Sequence, residues 1–153
     1  MAPIPHRALI TIFFYAASLS SAFAIMPPEV YEQARQTAEH HVQLRILDVS
    51  EPPADGYGDC VVRVRVIMTF RGDLPMGREF PIHVSCLRPD ANPRPGGELW
   101  NAYAELAQAE YLEAFLSGDG TPDVDTEQVV IISGPANAPA CDPAAPGIRC
   151  TPI

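Results

Sequence analysis

The stretch that decides the fold is Cys60-Val61-Val62-Arg63-Val64-Arg65-Val66-Ile67-Met68-Thr69-Phe70, followed by Arg71-Gly72-Asp73-Leu74-Pro75-Met76-Gly77 and then Arg78-Glu79-Phe80-Pro81-Ile82-His83-Val84-Ser85-Cys86. In the first segment Cys60, Val62, Val64, Val66, Met68 and Phe70 share one face, and Arg63 and Arg65 share the other, which is the period of a strand. The middle segment is turn chemistry. In the last, Phe80, Ile82, Val84 and Cys86 alternate with His83 and Ser85, so the whole reads as a hairpin. A register centred on Asp73 sets Phe80 against Val66, Ile82 against Val64, Val84 against Val62 and Cys86 against Cys60, with every inward pair apolar. The same register places His83 opposite Arg63 on the outer face.

On the N-terminal side, Val42, Leu44 and Ile46 alternate with Gln43 and Arg45, giving a strand over 42–50 that ends at Pro52-Pro53 and the Asp55–Gly58 loop. Before it, Pro28 suits a first helical turn and Glu29 and Glu32 suit the positive end of the dipole, so a helix is expected over 28–40. On the C-terminal side, a Pro- and Gly-rich connection over 89–97 leads to Glu98–Gln108, where Leu99, Tyr103, Leu106 and Ala107 stand near helical spacing. Residues 111–116 are read as a strand, and Gln128–Ile132 as another beyond the Ser117–Gly120 turn. The tail from Gly134 has five Pro and two Cys and is expected to be irregular, stapled from Cys141 to Cys150.

The chain has 153 residues, 47% hydrophobic, with ten Arg and no Lys against nineteen acids and a formal charge of −9. One domain fits this length, and the negative field makes nucleic acid an unexpected partner. Residues 1–24 read as a secretory signal peptide: Arg7 ends a short n-region, Ala8–Leu19 is apolar, and Ala22 and Ala24 are the small residues three and one before the expected cut. The apolar core is too short to span a bilayer, so no stable membrane insertion is expected after cleavage, and the mature chain should be periplasmic or secreted. In that compartment Cys60, Cys86, Cys141 and Cys150 are expected as disulfides, not metal ligands; no metal and no cofactor are expected. The chain-entropy account gives the Cys60–Cys86 link about 3.5 kcal/mol.

Five short strands with a helix between the third and fourth is the element order of an OB-fold. The expected class is therefore mainly β with one or two helices: a small five-stranded OB-like barrel over 42–133, stabilised by disulfides, with a helical segment over 25–41 and a stapled tail over 134–153. The stretch Val64–Pro75, with Gly96-Gly97 and Tyr111–Leu116 after it, resembles bacterial exported proteins of the netrin-like, tissue-inhibitor-of-metalloproteinase-like OB group. That resemblance implies an exported, non-enzymatic module. The animal inhibitors begin with a Cys that chelates the target's zinc, whereas this chain is expected to begin at Ile25, so metalloproteinase inhibition does not carry over.

None of the common catalytic signatures, Gly-x-Ser-x-Gly, His-Glu-x-x-His, a Walker loop or Gly-x-Gly-x-x-Gly, occurs in the chain. His40 and His41 read as solvated helix-end residues. Asp119, Asp123, Asp125 and Glu127 lack EF-hand spacing and read as a solvated hairpin. Arg71-Gly72-Asp73 matches an adhesion tripeptide but is explained by the turn. Arg63, Arg65 and His83 form a small basic patch able to take a carboxylate or phosphate, or to pair with local acids. The expected function is thus an exported, non-catalytic module binding an unknown protein or a small anionic ligand. The alternatives are a small secreted hydrolase with His83 as base, and an envelope structural protein using its Pro-rich tail for contacts.

Overall fold

The computed structural model describes residues 26–93, 96, 98–118 and 120–150. The expected signal cleavage site at Ala22 and Ala24 lies outside them. Among the described residues, no helix is long and apolar enough to cross a membrane.

The element order is α1 (Pro28–Thr37), β1 (His40–Val49), β2 (Tyr57–Arg71), β3 (Glu79–Leu87), β4 (Asn101–Ala102), α2 (Tyr103–Leu106), β5 (Tyr111–Ser117) and β6 (Asp123–Ile132). All six strands belong to one sheet in the order β4-β3-β2-β1-β5-β6. Antiparallel pairing links β3 to β2, β2 to β1, β1 to β5 and β5 to β6. The sheet curls into a half-barrel of OB-like connectivity, with β3 and β6 facing each other across an open seam. The sixth strand, β4, is a two-residue parallel stub beside the end of β3.

The inward residues of the alternating runs meet inside the curl. Val42, Leu44, Val62, Val64, Val66, Ile82, Val84, Leu112, Ala114 and Leu116 are all buried there, and Leu106 of α2 plugs one end. Of the helix expected over 98–108 only the turn Tyr103–Leu106 is formed: Leu99 donates its N–H to Glu127, and Asn101–Ala102 pair with β3. The first helix likewise stops at Thr37, three residues early, because His40 already pairs with Leu116 of β5.

The hairpin register differs from the expected one by two residues. Val64 faces Phe80, Val62 faces Ile82 and Cys60 faces Val84, so paired numbers sum to 144 and His83 lies opposite Val61, not Arg63. A two-residue shift preserves the inward face, which is why the apolar pattern alone did not exclude it. The turn decides: Val66 donates to Arg78 O and accepts from Gly77 N–H, with Gly77 at φ +85°, while Met68–Arg71 leave β3 and pair with β1. The Cys60–Cys86 disulfide consequently spans a diagonal, with Cα atoms 5.9 Å apart. Cys141 is joined to Cys150, as expected.

The outer face of β1 and β5 is not solvated. The tail packs over it, making a second core of Ala38, Phe115, Cys141 and Cys150. Glu113, fully buried, accepts from His41 (2.8 Å), Gln43 (2.8 Å), Ala140 N–H (2.8 Å) and Cys141 N–H (3.0 Å). Gln43 Oε1 accepts from Ala136 N–H at 2.9 Å. Arg35, also fully buried, donates to Gln128, Ala145 O and Gly147 O. The tail is thus held by side chains that grip its main chain. His41 is a buried strand residue stacked on Phe115 at 4.0 Å, not a solvated helix-end group.

Arg71 also turns inward and donates to Arg35 O and Gln36 O, capping the last turn of α1, while Asp73 points into solvent. The two charged side chains of the tripeptide are therefore directed apart, Arg71 onto α1 and Asp73 into solvent. Gly72 holds φ +89°, and a Cβ there would sit 2.1 Å from His40 Nδ1 and 2.7 Å from Glu39 O. Gly72→Ala is expected to cost about 2–3 kcal/mol, combining an unfavourable φ with a clash against main chain. Urea denaturation of the variant would measure it; a loss under about 0.5 kcal/mol would contradict the close approach.

Candidate ligand cleft at the sheet seam

The three residues expected to form a basic patch are separated by the observed register. Arg63 and Arg65 both lie on the exposed face of β2, and both face Glu79: Arg65 Nε donates to Glu79 Oε1 at 2.9 Å, and Arg63 stands 3.7 Å from Oε2. One carboxylate thus occupies both guanidiniums. His83 lies farther along β3 and faces β6, where Asp123 accepts from its main-chain N–H (2.7 Å) and contacts ring Nδ1 (2.6 Å).

This Asp123 bridge closes one end of the seam. The pairing of β3 with β2 turns the main chain of alternate residues, among them His83 and Ser85, toward the open edge. Such an edge invites pairing with another chain. Here Pro81 removes a donor, Asp123 takes the His83 N–H, and Asn101 Nδ2 donates to Ser85 O at 3.0 Å. The edge is blunted by side chains, while the strands stay apart.

Beyond the bridge the strands diverge, leaving a cleft of about 260 Å³ lined by Asp59, His83, Ser85, Asn101, Asp123, Thr126 and Glu127 over a floor that includes Val84, Val124 and Val129. The divergence is built into β6. Its pairing with β5 jumps from Leu116–Val124 to Ala114–Val129, so four residues, 125–128, bulge from the ladder. Thr126 and Glu127 adopt φ of 44° and 62°, the only non-glycine residues in that region among those described. Gln128 braces the bulge by donating to Thr126 O, and Asp125 braces it by accepting from Ser117 and Thr126.

The bulge aims Glu127 at the seam, where its carboxylate accepts from Leu99 N–H at 2.8 Å. Burial raises the Glu127 carboxyl above its ordinary range; the Leu99 hydrogen bond opposes this, the charges of Glu98 and Asp59 add to it, and Arg149 subtracts. The described acidic residues of this loop do not gather as a metal cage, and Asp119 lies outside them. Asp123 serves His83, Asp125 serves Ser117, and no cluster of three metal-ligating side chains occurs among the described residues. Ser85, two residues from His83 on the same face, gives its hydroxyl to Glu98 at 3.0 Å.

Sequence reading singled out His83 and weighed Asp123 and Glu127 only as part of a solvated acidic hairpin, and it did not mark Asp59, Asn101 or Thr126. Nothing in the local pattern marks them, because the cleft forms from chain segments about 40 residues apart that meet only when the sheet curls. Comparisons with protein-family models, with curated proteins and with solved structures found no match.

Proposed function

We propose that the protein is an exported, non-catalytic binding module whose seam cleft receives a cationic group of its ligand. The observation that carries this reading is the lining itself: Asp59, Asp123 and Glu127 share one cleft in which His83 is the sole basic side chain among the described residues. The net charge of −9 steers cations toward it. An anion at Arg63 and Arg65 is the poorer fit, because Glu79 already engages both guanidiniums and offsets one of their two charges. Export is supported by the signal-like residues 1–24 and by two disulfides, and the OB-like connectivity agrees with the netrin-like resemblance.

Titration of isotopically labelled protein with arginine amide is the test. Resonances of Asp59, His83 and Glu127 should move, and the Asp59→Asn, Glu127→Gln double variant should lose affinity by about tenfold or more. Binding should tighten as pH rises, because the raised Glu127 carboxyl must ionise to attract the cation. Shifts at Arg63 and Arg65 with succinate, and none with arginine amide, would overturn the assignment in favour of an anion.

A hydrolase is the second reading, favoured by the 2.6 Å contact between His83 and Asp123 with Ser85 in the same cleft. Against it, the Ser85 hydroxyl proton goes to Glu98, not to the imidazole. Turnover of p-nitrophenyl acetate that disappears in His83→Ala would install this reading in place of the first. The tail's docking on its own sheet weakens the case for an envelope protein that uses it for outside contacts.

A further inference from the structure

A larger hollow, of about 630 Å³, lies at the end of the half-barrel away from α2. Antiparallel pairing gathers the start of β1, the end of β2, the start of β3 and the β5–β6 turn there. Glu39, His40, Asp73 and Arg78 line the hollow, together with Leu74 and Pro122, which are both buried. No residue lines both this hollow and the seam cleft, although Pro122 belongs to one and Asp123 to the other.

The opposite charges of this hollow are not spent on each other. Arg78 Nη2 donates to Gly120 O at 2.7 Å, and its guanidinium carbon stands 5.7 Å from the centre of the Phe80 ring. Glu39 Oε2 accepts from Gly118 N–H at 3.3 Å. Arg78 and Glu39 are thus tied to main chain of the same turn, and among the described residues neither has an oppositely charged group within 4.0 Å. Asp73 is 98% exposed and approaches only His40 Nδ1, at 3.8 Å. A cation and carboxylates left unpaired beside apolar surface are complementary to a small molecule that carries both charges on one short frame. Its carboxylate would take the donors that Arg78 leaves uncommitted, its ammonium would take Glu39 or Asp73, and its apolar group would cover Leu74 and Pro122. We infer that the hollow is a second binding site, for a small zwitterion of the α-amino-acid type with an apolar side chain. It stands apart from the seam cleft and from the cationic reading of that cleft.

The experiment titrates the isotopically labelled, disulfide-bonded chain with L-leucine, with leucinamide, which keeps only the positive charge, and with 4-methylpentanoate, which keeps only the negative one. Leucine should shift the resonances of Glu39, His40, Gly118 and Gly120, with a Kd at these residues about tenfold or more below that of either analogue. Arg78→Ala should weaken leucine binding by about tenfold or more, and Asp59 and Glu127 should not move with leucine. Equal binding of 4-methylpentanoate at these residues would make the hollow an anion site, and equal binding of leucinamide a cation site; either would overturn the zwitterion. Absence of leucine shifts, or shifts that persist unchanged in Arg78→Ala, would overturn the site itself. Shifts of leucinamide at Asp59, His83 and Glu127 report the seam cleft alone, so the two readings fail separately.

Discussion

Replacing Glu113 by Ala is expected to release the tail and to destabilise the protein by about 3–5 kcal/mol, the range for removing one partner of a buried charged network. The carboxylate accepts four hydrogen bonds at full burial, so its loss strands the His41 ring, the Gln43 amide and two main-chain N–H groups in the dry interior. Urea midpoints would give the loss, and amide exchange at Ala140 and Cys141 would rise first. Glu113→Gln retains one acceptor oxygen and should fall between Ala and the native residue. If Glu113→Ala melts within about 0.5 kcal/mol of the native protein, the tail is not held through this carboxylate.

The same residue sets an acid limit. Burial alone would raise the Glu113 carboxyl, but hydrogen bonds from His41, Gln43, Ala140 and Cys141 outweigh it and hold the group below its ordinary range. A carboxyl lower in the folded than in the unfolded chain contributes stability that is complete above its unfolded value of about 4.3. That contribution is lost as pH falls through the depressed folded value. Stability between pH 5 and 3 should therefore decline more steeply in the native protein than in Glu113→Gln.

Arg35→Ala should cost about 2–4 kcal/mol, because it leaves three tail and sheet oxygens without donors and opens a cavity beside Tyr31 and Ala34. Burial lowers the Arg35 pKa, which Glu32 partly offsets, yet the guanidinium stays charged at any working pH. Arg35→Lys should rescue little, since an ammonium lacks the planar fork that reaches Gln128, Ala145 and Gly147 at once. Near-complete rescue by Lys would mean that charge, not geometry, holds the tail loop.

What was legible in the sequence follows the reach of each signal. Strand periodicity in Val62–Val66 and Ile82–Val84 is a local property, and it placed the hairpin and its buried face. Registration to the residue depended on how Gly77 closes the turn, which no alternation encodes. His41 was misread for a related reason, and nothing marked Gln43 or Glu113 as its buried partners. On a strand a polar residue signals the wet face, and only the arrival of residues 136–141 from far along the chain makes that face dry. The expected helix over 98–108 failed because Leu99 and Asn101 were drawn to Glu127 and Ser85, tertiary partners that composition does not reveal. The cleft was the least legible part: His83 was marked for a patch with Arg63 and Arg65 that the observed register dispersed, and Asp123 and Glu127 were read as a solvated hairpin.

The diagonal Cys60–Cys86 disulfide bears on what fixes the register of the hairpin it joins. A cystine can join directly opposed residues as well as diagonal ones, since both arrangements keep the Cα atoms within its span. An oxidised chain therefore still has two arrangements of its hairpin open to it, two residues apart, each burying the same apolar face. Oxidation narrows the search without finishing it. The choice falls to the Val66–Gly77 closure and to the pairing of Met68–Arg71 with β1, so the cross-link does not by itself fix the register.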